Sequence, residues 1–175
     1  MTLSVHAMAT ESFAPMLESL SDLLDKGAQH AREDGPDLVN ARLAPDMYTL
    51  GQQVQQACHY ASDGVARLAG QPPAAMDTVG ATVEDLKAQI ARTLDRVRGI
   101  PIANFAQAEA RDCSITLPGA QVIEMDGVRF LRAWALPHFY FHVVTAYDIL
   151  RHCGVPIGKK DYLSQVGGFI RRKAT

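Results

Sequence analysis

The 175-residue sequence has few cysteines, little net charge and no long apolar run. Its three cysteines, Cys58, Cys113 and Cys153, are odd in number and lack a paired CxxC spacing. A disulfide framework or a zinc ribbon is therefore not expected. The formal net charge of -2 provides no general attraction to nucleic acid or to anionic lipid. No apolar run approaches the ~20 residues that a membrane-spanning helix needs, so we expect no membrane partner.

The remaining composition is that of a globular protein. Hydrophobic residues make up 47% of the chain and charged residues 21%, which separates the sequence from disordered chains. The length suits one domain with a real core. The first residues, MTLSVHAMATES, do not place a basic segment before an apolar stretch. We therefore expect no signal peptide, and a cytoplasmic location.

Three segments in the first hundred residues have apolar side chains at every third or fourth position, which is typical of amphipathic helices. The predicted helices cover roughly 3–32, 45–68 and 82–99. Pro45 is tolerated in a first helical turn, and the hydroxyl of Thr82 can cap the free amides of another. Glycine and proline follow each segment and predict where each helix ends.

The pattern changes between the third and fourth helices. Met125–Val128 has the sequence of a tight turn, with short apolar runs at 122–123 and 130–131 on either side. Ser114–Leu117 could pair with it, so we predict a small antiparallel hairpin here. The last long helix is predicted from about Leu136 to residue 153. The tail, from residue 157 to residue 175, is predicted to pack partly on the bundle through Tyr162, Leu163 and Phe169.

Four amphipathic helices with loops of modest length favour an all-α fold, the antiparallel four-helix bundle. The connection that carries the hairpin is long enough to cross over one end of such a bundle. We therefore predict a single domain over 1–175, with a small β-hairpin between helices 3 and 4.

The predicted fourth helix carries the residues best suited to chemistry. His138 and His142 lie one helical turn apart, so both can present ring nitrogens to one metal ion. His59 lies beside the apolar stripe of the second helix and can face this pair across an antiparallel bundle. Three neutral imidazoles with open positions for water would make a Lewis-acid site. Each histidine could instead be a core or boundary residue that is hydrogen-bonded to a neighbour.

Two long stretches resemble a known family. The segments LPHFYFHVVTAYDILRHCGVPIGKKDYL and QVQQACHYASDGVARLAG are similar to an uncharacterised family of bacterial proteins grouped with the DinB-like metalloenzymes. The resemblance implies a four-helix bundle, often dimeric, with zinc or nickel on one histidine of the second helix and two of the last. That pattern falls on His59, His138 and His142. In this branch the positions of His59 and His138 are often Asp and Asn.

The resemblance implies a bundle that binds a divalent metal ion. One activity that it implies is that of a metal- and thiol-dependent transferase or hydrolase. Tyr140 and Thr145 are the expected pocket groups, with a small molecule as ligand. The alternative is a non-enzymatic dimeric bundle whose histidines are structural. We expect a homodimer because the aromatic run from Trp134 to Phe141 exceeds what one buried seam can cover.

Overall fold

The computed structural model describes residues 4–31 and 37–171, most of which are helical. The helices before residue 100 are α1 (Val5–Ala31), α2 (Leu50–Leu68) and α3 (Val83–Gly99). These three helices lie where the apolar periodicity predicted them. The predicted ends of the first helix, at residues 3 and 32, lie outside the described residues.

Capping side chains determine where α2 and α3 begin. The Thr49 hydroxyl accepts from the amide of Gln52 at 3.3 Å, and the Gln52 side chain accepts from the Thr49 amide at 2.9 Å. Thr82 caps α3 in the same reciprocal way, as predicted. The predicted start of α2 at Pro45 is wrong. Pro45 lies in a turn, in which Met47 donates to a backbone oxygen, and the capping box places the helix start after it.

A two-stranded antiparallel hairpin joins α3 to the last long helix through two short 3₁₀ segments. The strands are β1 (Asp112–Thr116) and β2 (Val122–Asp126), and the 3₁₀ segments are Ile102–Phe105 and Ala108–Ala110. The predicted pairing is confirmed, but the predicted turn at Met125–Val128 is wrong. Met125 pairs within the ladder, and the carboxylate of Asp126 accepts from the amide of Arg129 as a helix N-cap. The chain reverses between residues 117 and 121 instead.

The last long helix, α4, is helical from residue 127 to residue 152. It comprises an α-helical turn (Gly127–Arg129), a π-helical segment (Phe130–Ala135) and a long α-helix (Leu136–His152). The predicted start near Leu136 is therefore too late. Pro137 has no amide hydrogen, and its ring would crowd the preceding turn of an α-helix. The π-helical segment widens that turn, with the Leu136 amide donating to the Leu131 oxygen, so the helix continues through the proline.

The four long helices enclose one hydrophobic core. The side chains of Phe13, Phe130 and Phe139 are the largest that are fully buried. Helix α2 packs against α3 on one side and α4 on the other, so its boundary residues face two different interfaces. The chain thus forms the predicted helical bundle with a small hairpin. Among the described residues, no helix combines the length and the apolar character that crossing a membrane requires.

The segment after α4 packs partly on the bundle, as predicted. It contains a short helix, α5 (Lys159–Tyr162), and a 3₁₀ segment (Ser164–Phe169). Tyr162 packs edge-on against Tyr147 of α4 with ring centroids 6.1 Å apart. Phe169 is 79% exposed, so the prediction that it anchors the tail is wrong. The 3₁₀ segment turns its side chain away from the bundle.

Candidate functional site

His138 and His142 lie on α4 where it meets α2. His142 is 7% exposed, and its Nδ1 is 2.7 Å from Oε1 of Gln53 on α2. The Nδ1 of His138 is 2.8 Å from the carbonyl oxygen of Trp134, one turn earlier on α4. Both partners are oxygen acceptors, so each Nδ1 must carry the proton in these bonds. The lone pair of each neutral ring is then on Nε2, the tautomer found in many metal-bound histidines.

Aromatic rings surround the histidine pair. Tyr60 of α2 stacks on both imidazoles, with centroid distances of 4.6 Å to His138 and 5.6 Å to His142. Trp134 packs on His138 at 4.3 Å, and Tyr48 stacks on His142 at 6.4 Å. These rings help to bury His142, whereas His138 is half-buried. Burial, with a smaller contribution from the neighbouring His138, lowers the pKa of His142 to about 4.

The lowered pKa of His142 leads to a pH prediction. We expect its imidazole to titrate near pH 4 in the folded protein, whereas an unperturbed histidine titrates near 6.5. Between these values the unfolded chain binds more protons than the folded chain, so stability should fall as the pH is lowered through this window. Proton NMR of the imidazole and urea unfolding at several pH values measure the two effects.

The matched variant is His142→Gln, which keeps a polar side chain beside Gln53 but does not titrate. As the pH is lowered from 6.5 to 4, the free energy of unfolding of this variant should fall less than that of the unmodified protein, because His142 no longer titrates. A His142 titration close to the unperturbed 6.5 would contradict the prediction.

His59 lies at a different interface. It lines a cavity between α2 and α3, and its Nδ1 is buried without a hydrogen-bond partner. Burial lowers the pKa of this imidazole, which favours its neutral form. Its ring meets Tyr60 edge-on at 5.5 Å. Of the three predicted ligands, His138 and His142 stack on Tyr60. The third, His59, lines the cavity between α2 and α3.

The imidazoles of His138 and His142, a pair on α4, are each hydrogen-bonded through Nδ1. An imidazole that donates through Nδ1 leaves Nε2 as a possible donor atom for zinc or nickel. Within residues 4–31 and 37–171, however, no group of three or more histidine, cysteine, aspartate or glutamate side chains is arranged to hold a metal ion. Gln53 and Tyr60 of α2 contact the pair, through a hydrogen bond and ring stacking respectively.

The two predicted pocket residues are engaged within α4. Thr145 is 6% exposed, and its hydroxyl donates to the carbonyl oxygen of Phe141 at 2.7 Å. Tyr140 is half-buried and packs edge-on against Phe139 with centroids 5.4 Å apart. Sequence reasoning missed Gln53 and Tyr60, although their seven-residue spacing places both on one face of α2. That spacing is the signal that could have found them.

The chain is a bundle of four long helices, with a hairpin before the last helix and two histidines one turn apart on it. The chain belongs to the family described as "Domain of unknown function (DUF1993)", whose model matches residues 5–163. It is also similar to a DinB family member from Shewanella denitrificans, known from its crystal structure. The identity is 38% and the TM-score 0.82, covering 97% of this chain and 95% of that chain. No curated protein matches this chain. The predicted resemblance is confirmed.

Proposed function

We propose that this protein binds a divalent metal ion, zinc or nickel, at His138 and His142. The supporting observation is the pair of hydrogen bonds that engages Nδ1 of each ring, with Trp134 and Gln53 as acceptors. These bonds select the tautomer with a free Nε2 and limit rotation of the rings. The low pKa of His142 keeps its ring neutral at physiological pH, the form that binds metals.

Two protein ligands would leave coordination positions open to water or to a small molecule. A divalent ion bound there would act as a Lewis acid. Membership of the DinB-like group supports metal- and thiol-dependent transfer or hydrolysis as the reaction class. The thiol would have to be external: burial raises the pKa of Cys58 to about 12 and also raises the pKa of Cys113 and Cys153. A raised pKa keeps the reactive thiolate scarce.

The test is titration of tag-free protein with zinc or nickel at neutral pH by calorimetry. We expect about one equivalent to bind and the melting temperature to rise, because a ligand of the native state stabilises it by mass action. His138→Ala and His142→Ala should each abolish binding, since either leaves a single imidazole. His30→Ala, a change at an exposed histidine, should have no effect.

His59→Ala distinguishes two forms of the site. Binding that survives this change means that the pair holds the metal without His59. Loss of binding means that His59 moves to join the pair as the third ligand, as the resemblance implies. If the unmodified protein shows neither heat nor a melting shift at saturating zinc and nickel, the metal proposal is wrong.

The contacts of the rings also support a second candidate, a non-enzymatic bundle with structural histidines. Tyr60, Trp134 and Gln53 engage both imidazoles in the way that buried structural histidines are engaged. On this reading no metal binds, and His142→Ala lowers the free energy of unfolding by about 1–3 kcal/mol, because it leaves the buried Gln53 without its partner. The metal titration of the unmodified protein separates the two candidates, because the loss of the Gln53 hydrogen bond is expected for both.

We further propose that the protein is a homodimer assembled through the outer face of α4. Phe141 and Val144 are 58% and 40% exposed on that face. The apolar patch is smaller than the aromatic run predicted, because Phe139 is buried and Trp134 is half-buried. Clusters of exposed apolar residues often mark interaction surfaces.

Light scattering coupled to size exclusion should therefore give the mass of two chains. Phe141→Asp should yield a monomer, because it places a charge in the apolar contact. Ile102→Asp, at a 68% exposed apolar residue away from α4, is the matched control and should remain dimeric. A monomeric unmodified protein at micromolar concentration would rule out the dimer.

A further inference from the structure

A cavity of about 100 Å³ lies between α2 and α3, and His138 and His142 are not among its lining residues. A single ordered water needs only about 10–15 Å³ by this measure, so the cavity has room for a ligand of several heavy atoms. His59 and Cys58 of α2 line one wall, and Gln89, Arg92 and Arg96 of α3 line the other. These side chains are polar or ionisable, so the cavity suits a polar occupant.

Two buried polar atoms in the wall of this cavity have no hydrogen-bond partner. Gln89 is 2% exposed, and its Oε1 is unpaired, as is Nδ1 of His59 across the cavity. Within the part of the chain that the structure describes, these are the buried side-chain atoms without a partner. Buried polar groups in folded proteins nearly always have partners. Both atoms belong to residues that line this cavity, so they are candidate hydrogen-bond partners for a ligand bound in it.

The charges at the cavity favour an anion. Arg92 and Arg96 lie one turn apart on α3, and Asp77 is 3.7 Å from Arg92. Arg96 has no carboxylate within ion-pair distance among the described residues, so one positive charge remains uncompensated. Arginine presents a planar set of donors that matches a carboxylate. The raised pKa of Cys58 keeps its thiol neutral, so the cavity wall offers hydrogen bonds rather than a nucleophile.

We propose that this cavity binds a small carboxylic acid with a hydroxyl or amino group on the adjacent carbon. Its carboxylate would pair with Arg96, and its neighbouring donor would bond to Oε1 of Gln89. Nδ1 of His59 would form a hydrogen bond with the same hydroxyl or amino group. Gln89 and Arg96 belong to neither form of the proposed metal site, and His59 is shared only if it is the third metal ligand.

Calorimetry on EDTA-treated protein tests the proposal, with glycolate and glycine as the probes. We expect saturable binding of one equivalent of at least one of them. Acetate, which has the carboxylate but no adjacent donor, should bind at least about tenfold more weakly, because it leaves Gln89 unpaired. Using metal-free protein ensures that failure of the metal proposal does not affect this result.

Two variants test the two ends of the ligand. Gln89→Leu and Arg96→Leu should each weaken binding of the bound probe by about tenfold or more, the loss of one good hydrogen bond or ion pair. Arg96 is exposed, so its variant should fold normally even if Gln89→Leu does not. Arg132→Leu removes an exposed arginine on α4 and should bind like the unmodified chain.

Three results would overturn the proposal. One is the absence of saturable heat with either probe. Another is equal binding by the Arg96→Leu and Arg132→Leu proteins. The third is a crystal soaked in the probe that binds in solution, if its cavity holds only waters bonded to Gln89 and His59.

Discussion

Replacing Phe13 with alanine should lower the free energy of unfolding by about 3–5 kcal/mol. The ring is fully buried, and it packs edge-on against Phe139 of α4 with centroids 5.0 Å apart. Its edge also lies against the backbone of α2, because a Cβ added at Gly64 would be only 3.1 Å from it. The Phe13 side chain of α1 therefore contacts both α2 and α4, and its removal leaves a cavity between the three helices. Urea or guanidinium unfolding measures the change.

Phe169→Ala is the matched control, because the same truncation there removes a ring that is 79% exposed. It should change stability by no more than about 0.5 kcal/mol. Combining Phe13→Ala with Phe139→Ala in a double-mutant cycle should give a coupling of about 0.5–1.5 kcal/mol, the usual value for an edge-to-face pair. If the Phe13 and Phe169 variants were equally stable, the described core packing would be wrong.

The second large effect is expected at Gly127, the first residue of α4. A Cβ built there would lie 1.9 Å from the carbonyl oxygen of Ala108, a distance that no real Cβ tolerates. The contact is with backbone, so no side-chain rotation can relieve it. Either the Ala108–Ala110 segment or the first turn of α4 must move. We expect Gly127→Ala to cost about 3 kcal/mol or more, at the upper end of overpacking effects.

Gly99→Ala provides the matched control. Gly99 is the last residue of α3, and a Cβ there would have no heavy atom within 4 Å. Alanine at this helical position should stabilise the protein by about 0.4–1 kcal/mol, because it restricts the unfolded chain. Thermal or denaturant unfolding of both variants gives the comparison. Equal stability of the two alanine variants would show that α4 does not approach Ala108 this closely.

Features that depend on local sequence could be predicted. The apolar periodicity located the helices, and Thr82 with Asp85 correctly marked the start of α3, because a capping box involves only neighbouring residues. The histidine spacing correctly placed His138 and His142 one turn apart on one helix, since helical geometry alone sets that distance. The resemblance to the DinB-like family predicted the same helical bundle.

The start of α4 could not be predicted from local sequence. Asp126–Gly127 suits a hairpin turn as well as a helix N-cap, because aspartate favours both positions. In the folded protein Gly127 lies against the carbonyl of Ala108, a contact possible only without a Cβ. The tertiary approach of two segments therefore decided that this pair begins a helix rather than closing a hairpin.

The sequence by itself determined a bundle of amphipathic helices with a histidine pair on the last one, because periodicity and spacing are properties of single helices. Only the tertiary structure decided the surroundings of that pair. Helix α2 contacts both α3 and α4, so its apolar stripe does not specify which neighbour a boundary residue faces. Packing directs Gln53 and Tyr60 to the pair on α4 and His59 to the cavity beside α3. The rotation of α2 between its two neighbours depends on side chains of all three helices.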